Sequence, residues 1–267
     1  MNVFEQIVRE IGEYDGTAVI DRGRRISYPQ LLQSVRSCAA RLSGAGLKPG
    51  MRAGIIAEDS FEYIALSLAV LSLNAAIVPL STRASAEELR NMPEKVGINV
   101  LLCDAAHRRG DEAELPSPDF FRDPFFFRIR DPEIRPVKLP DGRIPAFIRF
   151  SSGTTGENKG VVLSHQAVLE RTDACAPGLG VVRGEHVLWV LDMAFHFVVT
   201  ILLFLRKGAA LVICGRPIES GMREAFRNVP LSLLYATPYH YRLMAHSDDF
   251  PPECLRTVRL AVSTAMK

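Results

Sequence analysis

The hydrophobic positions of the chain fall into two patterns that alternate along its length. Residues 29–43 carry apolar side chains at helical spacing, which predicts an amphipathic helix, and further helices are expected after Ser60 and from Ser85. Short, continuous apolar runs predict buried strands at 52–57, 76–80, 100–103, 187–191, 210–214, 231–235 and 257–261. Alternation of this kind predicts an α/β fold in which mostly parallel sheets are flanked by helices.

Residues 108–145 interrupt this alternation. The stretch is rich in Pro, Asp, Arg and Phe, and its phenylalanines at 120–121 and 125–127 show no clear periodicity. We expect an irregular connection that anchors aromatic side chains in the core; an interaction segment is the alternative. The chain is therefore expected to divide into a first α/β lobe (1–107), this connection (108–145) and a second α/β lobe (146–267).

Residues 187–205 raise the question of a membrane span, because the run is mostly apolar and is followed by Arg206 and Lys207. Asp192 and His196 near its middle are costly in lipid. A buried strand followed by a buried helix explains the same pattern, so we expect no integral membrane span. The first residues lack a basic region followed by an apolar stretch, which argues against a secretory signal and favours a cytoplasmic protein.

Composition and charge narrow the range of partners. Hydrophobic residues make up 48% of the chain, enough for a folded core, and the formal net charge is only +2. This balance predicts no binding to nucleic acid or to an anionic membrane surface. The five cysteines are widely spaced, and none forms a pair with metal-site or redox spacing, so we expect reduced, mostly buried thiols.

The segment with the clearest chemical character is a glycine- and hydroxyl-rich loop between two apolar runs, residues 151–160. Glycines let backbone N–H groups approach a phosphate closely, and four hydroxyls with one lysine can bind its oxygens. The donors are Ser151, Ser152, Thr154, Thr155 and Lys159. The P-loop pattern of many nucleotide-binding proteins needs Gly before the Lys, whereas Asn158 stands there. A solvated hairpin turn is the alternative interpretation.

Residues 151–160, with the Val-Val-Leu-Ser-His that follows, closely resemble the signature loop of the superfamily of acyl-CoA synthetases, peptide-synthetase adenylation domains and luciferases. Weaker resemblances follow in order at 26–31, 71–80, 192–197 and 235–238. Three positions depart from the family pattern: Asn158 replaces a proline, Asn74 replaces a glycine, and Ser-Thr-Ala at 263–265 replaces a glycine-rich adenine-binding turn.

The resemblance implies roles for particular residues. It implies that the ATP phosphates are bound by Ser151, Ser152, Gly153, Thr154, Thr155, Gly156 and Lys159, with an indirect magnesium contact at Thr155. It also implies that the acyl-substrate pocket is lined by Phe195, His196 and Thr200. Taken alone, His196 is better explained as a buried core histidine, and the resemblance brings the pocket role level with that explanation. The remaining histidines show no metal-ligand spacing with acidic partners, so we predict no zinc site.

The activity implied by the resemblance is ATP- and Mg²⁺-dependent activation of a carboxylic acid, of fatty-acyl or aryl type, as an acyl-adenylate. Transfer to CoA or to the phosphopantetheine of an acyl carrier protein would follow. The family's catalytic lysine falls beyond Lys267, so we expect a partial N-terminal domain that is inactive alone and self-associates. The alternatives are a non-enzymatic nucleotide- or partner-binding protein that pairs with a separate chain, and a phosphotransferase.

Overall fold

The computed structural model describes residues 1–85, 89, 96–135, 137, 139, 142–151 and 159–264, with only the backbone for residues 150, 151 and 159. The helices in this part of the chain are α1 (Val3–Ile11), α2 (Tyr28–Gly44), α3 (Phe61–Ser72), α4 (His165–Leu179), α5 (Met193–His196), α6 (Leu202–Arg206), α7 (Ile218–Asn228) and α8 (Pro238–Ala245). The strands are β1 (Thr17–Asp21), β2 (Arg24–Ser27), β3 (Arg52–Ile56), β4 (Ala76–Pro79), β5 (Val100–Asp104), β6 (Ala113–Leu115), β7 (Phe125–Ile129), β8 (Pro145–Ser151), β9 (Lys159–Ser164), β10 (His186–Trp189), β11 (Ala210–Ile213), β12 (Leu233–Ala236) and β13 (Leu260–Ser263).

One sheet has six strands in the order β13-β12-β10-β11-β1-β2. Its neighbouring strands are parallel except for the β1–β2 hairpin at one margin. All four residues of β11 are buried, as expected for a strand inside a parallel sheet. Because the parallel strands run the same way, their carboxyl ends share one edge, where ligands of α/β proteins commonly bind.

The other sheet has seven strands in the order β6-β7-β5-β3-β4-β8-β9. Its centre, β5-β3-β4-β8, is parallel, and both margins are antiparallel. The predicted α/β class is thus confirmed, although this second sheet is mixed rather than mostly parallel. The antiparallel margins arise because β8–β9 and β6–β7 are joined by short connections, which only antiparallel neighbours can use.

The chain divides into two compact units whose boundaries differ from the expected lobes. The first unit comprises residues 1–9, 32–58 and 62–171, and the second comprises residues 10–31, 59–61 and 172–267. The predicted boundary at residue 146 stays a prediction; in the structure β8 pairs with β4 and lies within the first unit. Conversely, β1 pairs with β11 of the second unit. Strand pairing between distant segments is invisible to a division made along the sequence.

Residues 108–145 are less irregular than expected. They contain β6 and β7, and β7 pairs antiparallel with β5 over its whole length. Phe126 is buried in the cluster that also contains Val78, Cys103 and Ile148, so the predicted anchoring of an aromatic side chain is confirmed. The strand escaped prediction because the two buried residues that begin it, Phe125 and Phe126, are adjacent, which hides the period-two pattern of a half-buried strand.

The remaining element predictions are mostly confirmed. The strands and helices expected before residue 85 lie within a few residues of their predicted positions, whereas the helix expected from Ser85 falls largely outside the described residues. The run 187–205 is a strand followed by helical segments. No helix in the described part of the chain is both long and apolar enough to cross a bilayer.

Candidate functional site

The two residues that flank positions 152–158 of the phosphate loop, Ser151 and Lys159, belong to a β-hairpin in the first unit. Strands β8 and β9 pair antiparallel, with Arg149 opposite Val161, Phe150 opposite Gly160 and Ser151 opposite Lys159. The hairpin therefore fixes the two ends of the loop next to one another. Since β8 runs parallel to β4, the loop leaves the sheet at the carboxyl end of its parallel strands.

The loop itself, residues 152–158, lies outside the described residues. This applies to the predicted phosphate ligands Ser152, Gly153, Thr154, Thr155 and Gly156, and with Thr155 to the expected magnesium contact. For Ser151 and Lys159 the strand pairing is described and the side chains are not. What the structure adds is that the first and last predicted ligands are cross-strand neighbours.

Arg149 is a cation at the hairpin stem that the sequence pattern did not single out. It lies in β8, two residues before Ser151. Burial lowers the pKa of the Arg149 guanidinium, and the nearby positive charge of Arg171 lowers it further. An arginine remains charged in spite of such shifts. Two guanidinium groups close together thus add positive charge near the loop, the sign that phosphate binding requires.

Helix α4 begins directly after the second strand of the hairpin, β9. Ser164 ends β9, and its Oγ accepts a hydrogen bond from the N–H of Ala167 at 3.0 Å, so Ser164 is the N-cap of α4. His165 is buried, and its Nδ1 accepts a hydrogen bond from the N–H of Val3 at 3.2 Å. Burial lowers the pKa of His165 to about 4, so the ring is neutral at pH 7. Its position indicates a structural role.

A second group of candidate residues lies at the carboxyl edge of the six-stranded sheet, in the second unit. Asp192 follows β10 and caps α5, with its Oδ1 accepting from the N–H of Ala194 at 2.8 Å. Thr237 follows β12 and caps α8, and its Oγ1 lies 2.8 Å from Nδ1 of His240. Two neighbouring parallel strands therefore end in polar residues that each begin a helix.

An aromatic cluster occupies the same edge. The rings of Trp189 and Tyr235 are stacked, with centroids 6.1 Å apart and planes 10° from parallel. These two residues are register partners in the parallel β10–β12 pair, so their side chains leave one face of the sheet side by side. The ring of His196 meets Trp189 edge-on at 6.2 Å, and Phe204 meets Tyr235 at the same centroid distance.

The three residues expected to line the acyl pocket occupy one helical segment. A π-helical turn (Phe197–Ile201) separates α5 from α6, and such turns are frequent at functional sites. Thr200 is buried, and its Oγ1 donates to the carbonyl of His196 at 2.9 Å. Phe195 is 49% exposed. The structure thus joins Thr200 to His196 directly, whereas Phe195 stands outside the aromatic cluster.

Two polar features of this region were missed by sequence reasoning. The indole Nε1 of Trp189 is buried and has no hydrogen-bond partner within the described part of the chain. The N–H of Met193 donates to Oδ1 of Asp59 at 2.9 Å, which fastens the start of α5. Only the alignment of strand and helix ends brings these groups together, since Asp59 is far from Met193 in the sequence.

The described residues offer no resident metal site and no reactive thiol pair. Among them, no group of three or more His, Cys, Asp or Glu side chains is placed to hold a metal ion. The cysteines are free, and burial raises the pKa of the Cys38, Cys103 and Cys214 thiols to about 12, so these three are inert.

Comparison with known proteins agrees with this arrangement. The sequence matches the family model described as AMP-binding enzyme over residues 9–267. It is 31% identical over 185 residues to an anguibactin system regulator of Vibrio anguillarum, which covers 67% of this chain and 17% of that protein. It is 24% identical to a 3-[(3aS,4S,7aS)-7a-methyl-1,5-dioxo-octahydro-1H-inden-4-yl]propanoyl:CoA ligase of Rhodococcus jostii, over 99% of this chain and 57% of the ligase.

The fold is shared with solved structures. The N-terminal domain of FACL13 from Mycobacterium tuberculosis superposes with a TM-score of 0.81 at 20% identity, over 98% of this chain and 69% of that domain. MatB from Rhodopseudomonas palustris superposes with a TM-score of 0.80 at 20% identity, over 100% of this chain and 56% of MatB. The chain thus spans about half the length of full-length ligases that it resembles. With the family model matched across nearly all of its residues, the chain belongs to the AMP-binding enzyme family.

Proposed function

We propose that this chain provides the phosphate-binding hairpin and part of the acyl pocket of an enzyme that activates a carboxylic acid with ATP. The observation that carries the proposal is the β8–β9 hairpin, in which the signature loop is closed by the pairing of Ser151 with Lys159. Family membership supports the general chemistry, since the matched model is that of AMP-binding enzymes.

In the proposed reaction, a carboxylate oxygen of the substrate attacks the α-phosphorus of ATP. A new bond forms between that oxygen and phosphorus, the bond from phosphorus to the bridging oxygen breaks, and pyrophosphate leaves with the electron pair. Lys159 and the loop hydroxyls would hold the β- and γ-phosphates and stabilise the charge that develops on the leaving group. Magnesium, bound with ATP, supplies further positive charge on the phosphates.

The acyl pocket is proposed at the aromatic edge of the six-stranded sheet. His196 and Thr200 would form its wall, with Phe195 at its exposed side. The buried, unpaired N–H of Trp189 supports a ligand here, because a buried donor without a partner costs free energy unless a ligand or water satisfies it. An aromatic lining suits an apolar or aryl carboxylic acid.

The acceptor of the activated acyl group is proposed to be a thiol, either CoA or the phosphopantetheine of a carrier protein. Relatives of both kinds support it: the Rhodococcus jostii relative is named a CoA ligase, and tyrocidine synthase 2 of Brevibacillus parabrevis is 26% identical over 98% of this chain. The chain covers only 7% of tyrocidine synthase 2, so a choice between the two acceptors depends on segments outside this comparison.

Calorimetric titration with Mg·ATP tests the hairpin. We expect binding that weakens at least tenfold in Lys159→Ala, because a charge-assisted contact to phosphate is lost. Lys48→Ala is the matched control: Lys48 is exposed and precedes β3, at the opposite edge of the sheet from the loop. Equal affinity of the parent and Lys159→Ala would refute the proposed role of the loop.

A second candidate function is nucleotide-dependent regulation without catalysis. The observation in its favour is the identity with a protein named as a system regulator, at 31% over 185 residues. Acid-dependent ATP–pyrophosphate exchange separates the two functions. The exchange should be measured on the protein as its cell produces it. An N-terminal tag isolates this chain together with any further residues or partner chains attached to it. Binding of ATP without exchange for any carboxylic acid would favour the regulator.

A further inference from the structure

A basic cavity lies at the margin of the second unit, between the β1–β2 turn and helix α7. Its volume is about 470 Å³, within the range of small-molecule sites. The turn contributes Arg22 and Gly23, and the first turn of α7 contributes Ser220 and Gly221. An apolar part of the lining comes from Val212 and other side chains of β1, β11 and α7. The cavity thus offers both a polar and an apolar surface to one ligand.

The charge of the lining is positive. Three arginines line the cavity together with a single acidic residue: Arg22, Arg25 and Arg216, with Glu224. The carboxylate of Asp21 lies 3.5 Å from Nε of Arg22, but Asp21 is buried outside the cavity and also accepts from the N–H of Phe61 at 3.1 Å. Guanidinium groups match phosphate oxygens with paired hydrogen bonds, so this lining selects phosphate over a single-charged apolar acid.

Two local features keep the arginines and the helix at the cavity. Arg22 has φ +49° and Gly23 has φ +74°, so the β1–β2 turn places an arginine in a conformation usually left to Asn, Asp or Gly. A Cβ added to Gly221 would lie 2.7 Å from the carbonyl oxygen of Gly215, so α7 packs backbone to backbone on the segment after β11. The amino end of α7, with its partial positive charge, is thereby held beside Arg216.

We propose that this cavity binds the phosphate group of a small anion. The cavity shares no residue with the hairpin or with the aromatic edge, so the inference goes beyond the proposed adenylation. The same chemistry fits two sources: free pyrophosphate, and an organic phosphate whose apolar body rests against Val212 and its neighbours. Titration with each source distinguishes them.

The test is carried out in the Lys159→Ala background, which removes the proposed loop site from the measurement. Inorganic pyrophosphate and pantetheine 4′-phosphate are titrated separately by calorimetry. We expect at least one of them to bind, and its dissociation constant to rise at least tenfold in Arg25→Gln/Arg216→Gln. Glu224→Gln should tighten binding several-fold, because it removes the one negative side chain from the lining.

Arg227→Gln is the matched control, since Arg227 is an exposed arginine on α7 that does not line the cavity. It should leave the dissociation constant unchanged. Three results would each overturn the proposal: no binding of either probe, unchanged binding in the double arginine variant, or equal weakening by Arg227→Gln. Because the substituted arginines are exposed, circular dichroism should show that the variants retain the parental fold.

Discussion

At the scale of single residues, Asn74 shows how local conformation accounts for a departure from the family pattern. Asn74 stands where the family usually has glycine, and its φ is +55°, a conformation that asparagine tolerates better than most residues. Its Oδ1 also accepts a hydrogen bond from Nδ2 of Asn2 at 3.2 Å, which glycine could not do. The substitution therefore preserves the backbone and adds a contact.

His165 carries the clearest pH dependence. Burial lowers its pKa to about 4 from an ordinary value of 6.5, so the unfolded chain binds an extra proton between those values. The free energy of unfolding should therefore fall as the pH drops from about 6.5 to about 4, by up to about 3 kcal/mol from this group. Urea denaturation across that pH range measures it.

The control for this prediction is His165→Gln, in which the titrating ring is absent. Its stability should depend less steeply on pH, although His186 and His240, whose pKa values burial also lowers, leave a residual slope of the same sign. Identical slopes in the parent and the variant would show that His165 is not the group responsible.

At the scale of elements, strand register decides which aromatic side chains meet. Trp189 and Tyr235 are distant in sequence, and each lies in an unremarkable apolar run. Their stacking follows from the pairing of β10 with β12, which places them at the same level of the sheet. The sequence predicted both strands but not their adjacency.

The stacked pair predicts a measurable coupling. A double-mutant cycle of Trp189→Leu and Tyr235→Leu should give a coupling free energy of about 0.5–1.5 kcal/mol, the range for aromatic pairs. The control cycle combines Trp189→Leu with Phe250→Leu. The ring of Phe250 contacts Phe226 and not Trp189, so the two effects should be additive within about 0.5 kcal/mol. Additivity in both cycles would mean that the stack contributes no specific stabilisation.

At the scale of the whole molecule, buried charge joins parts of the second unit that are far apart in sequence. Arg206 on α6 is almost fully buried, and its Nη2 lies 2.5 Å from Oε1 of Glu10 and 2.8 Å from Oδ1 of Asp173. A buried guanidinium needs such partners, because its desolvation is otherwise costly. The apolar run that suggested a membrane span is thus followed by Arg206, whose guanidinium forms ion pairs with carboxylates of the same protein.

Removal of this cation should be strongly destabilising. Arg206→Met is expected to lower the free energy of unfolding by about 3 kcal/mol or more, because the buried hydrogen bonds from its guanidinium to Glu10 and Asp173 are lost. Addition of Glu10→Gln should recover part of the loss. Arg223→Met breaks a comparably short pair with Asp249, at 2.6 Å, in which both side chains are one-third exposed, and should cost less than about 1 kcal/mol. Equal losses for the two arginines would contradict this account.

Much of the element order follows from the sequence because hydrophobic periodicity and helix caps are local signals. The amphipathic helix α2 and the apolar strand that precedes the phosphate loop were both predicted and are both present. The pairing of Ser151 with Lys159 was not predicted, and the roles of Phe195, His196 and Thr200 stay predictions. These depend on neighbours that no local pattern specifies.

The sequence by itself determined the α/β class, the signature loop and the family, since these rest on residue types at fixed spacing. Tertiary structure decided which strands share a sheet, and with them the boundaries of the two units. It also decided the stack of Trp189 on Tyr235 and the basic cavity between the β1–β2 turn and α7. The physical reason is that strand pairing and register arise from contacts between distant segments, whereas periodicity, caps and loops are written in neighbouring residues.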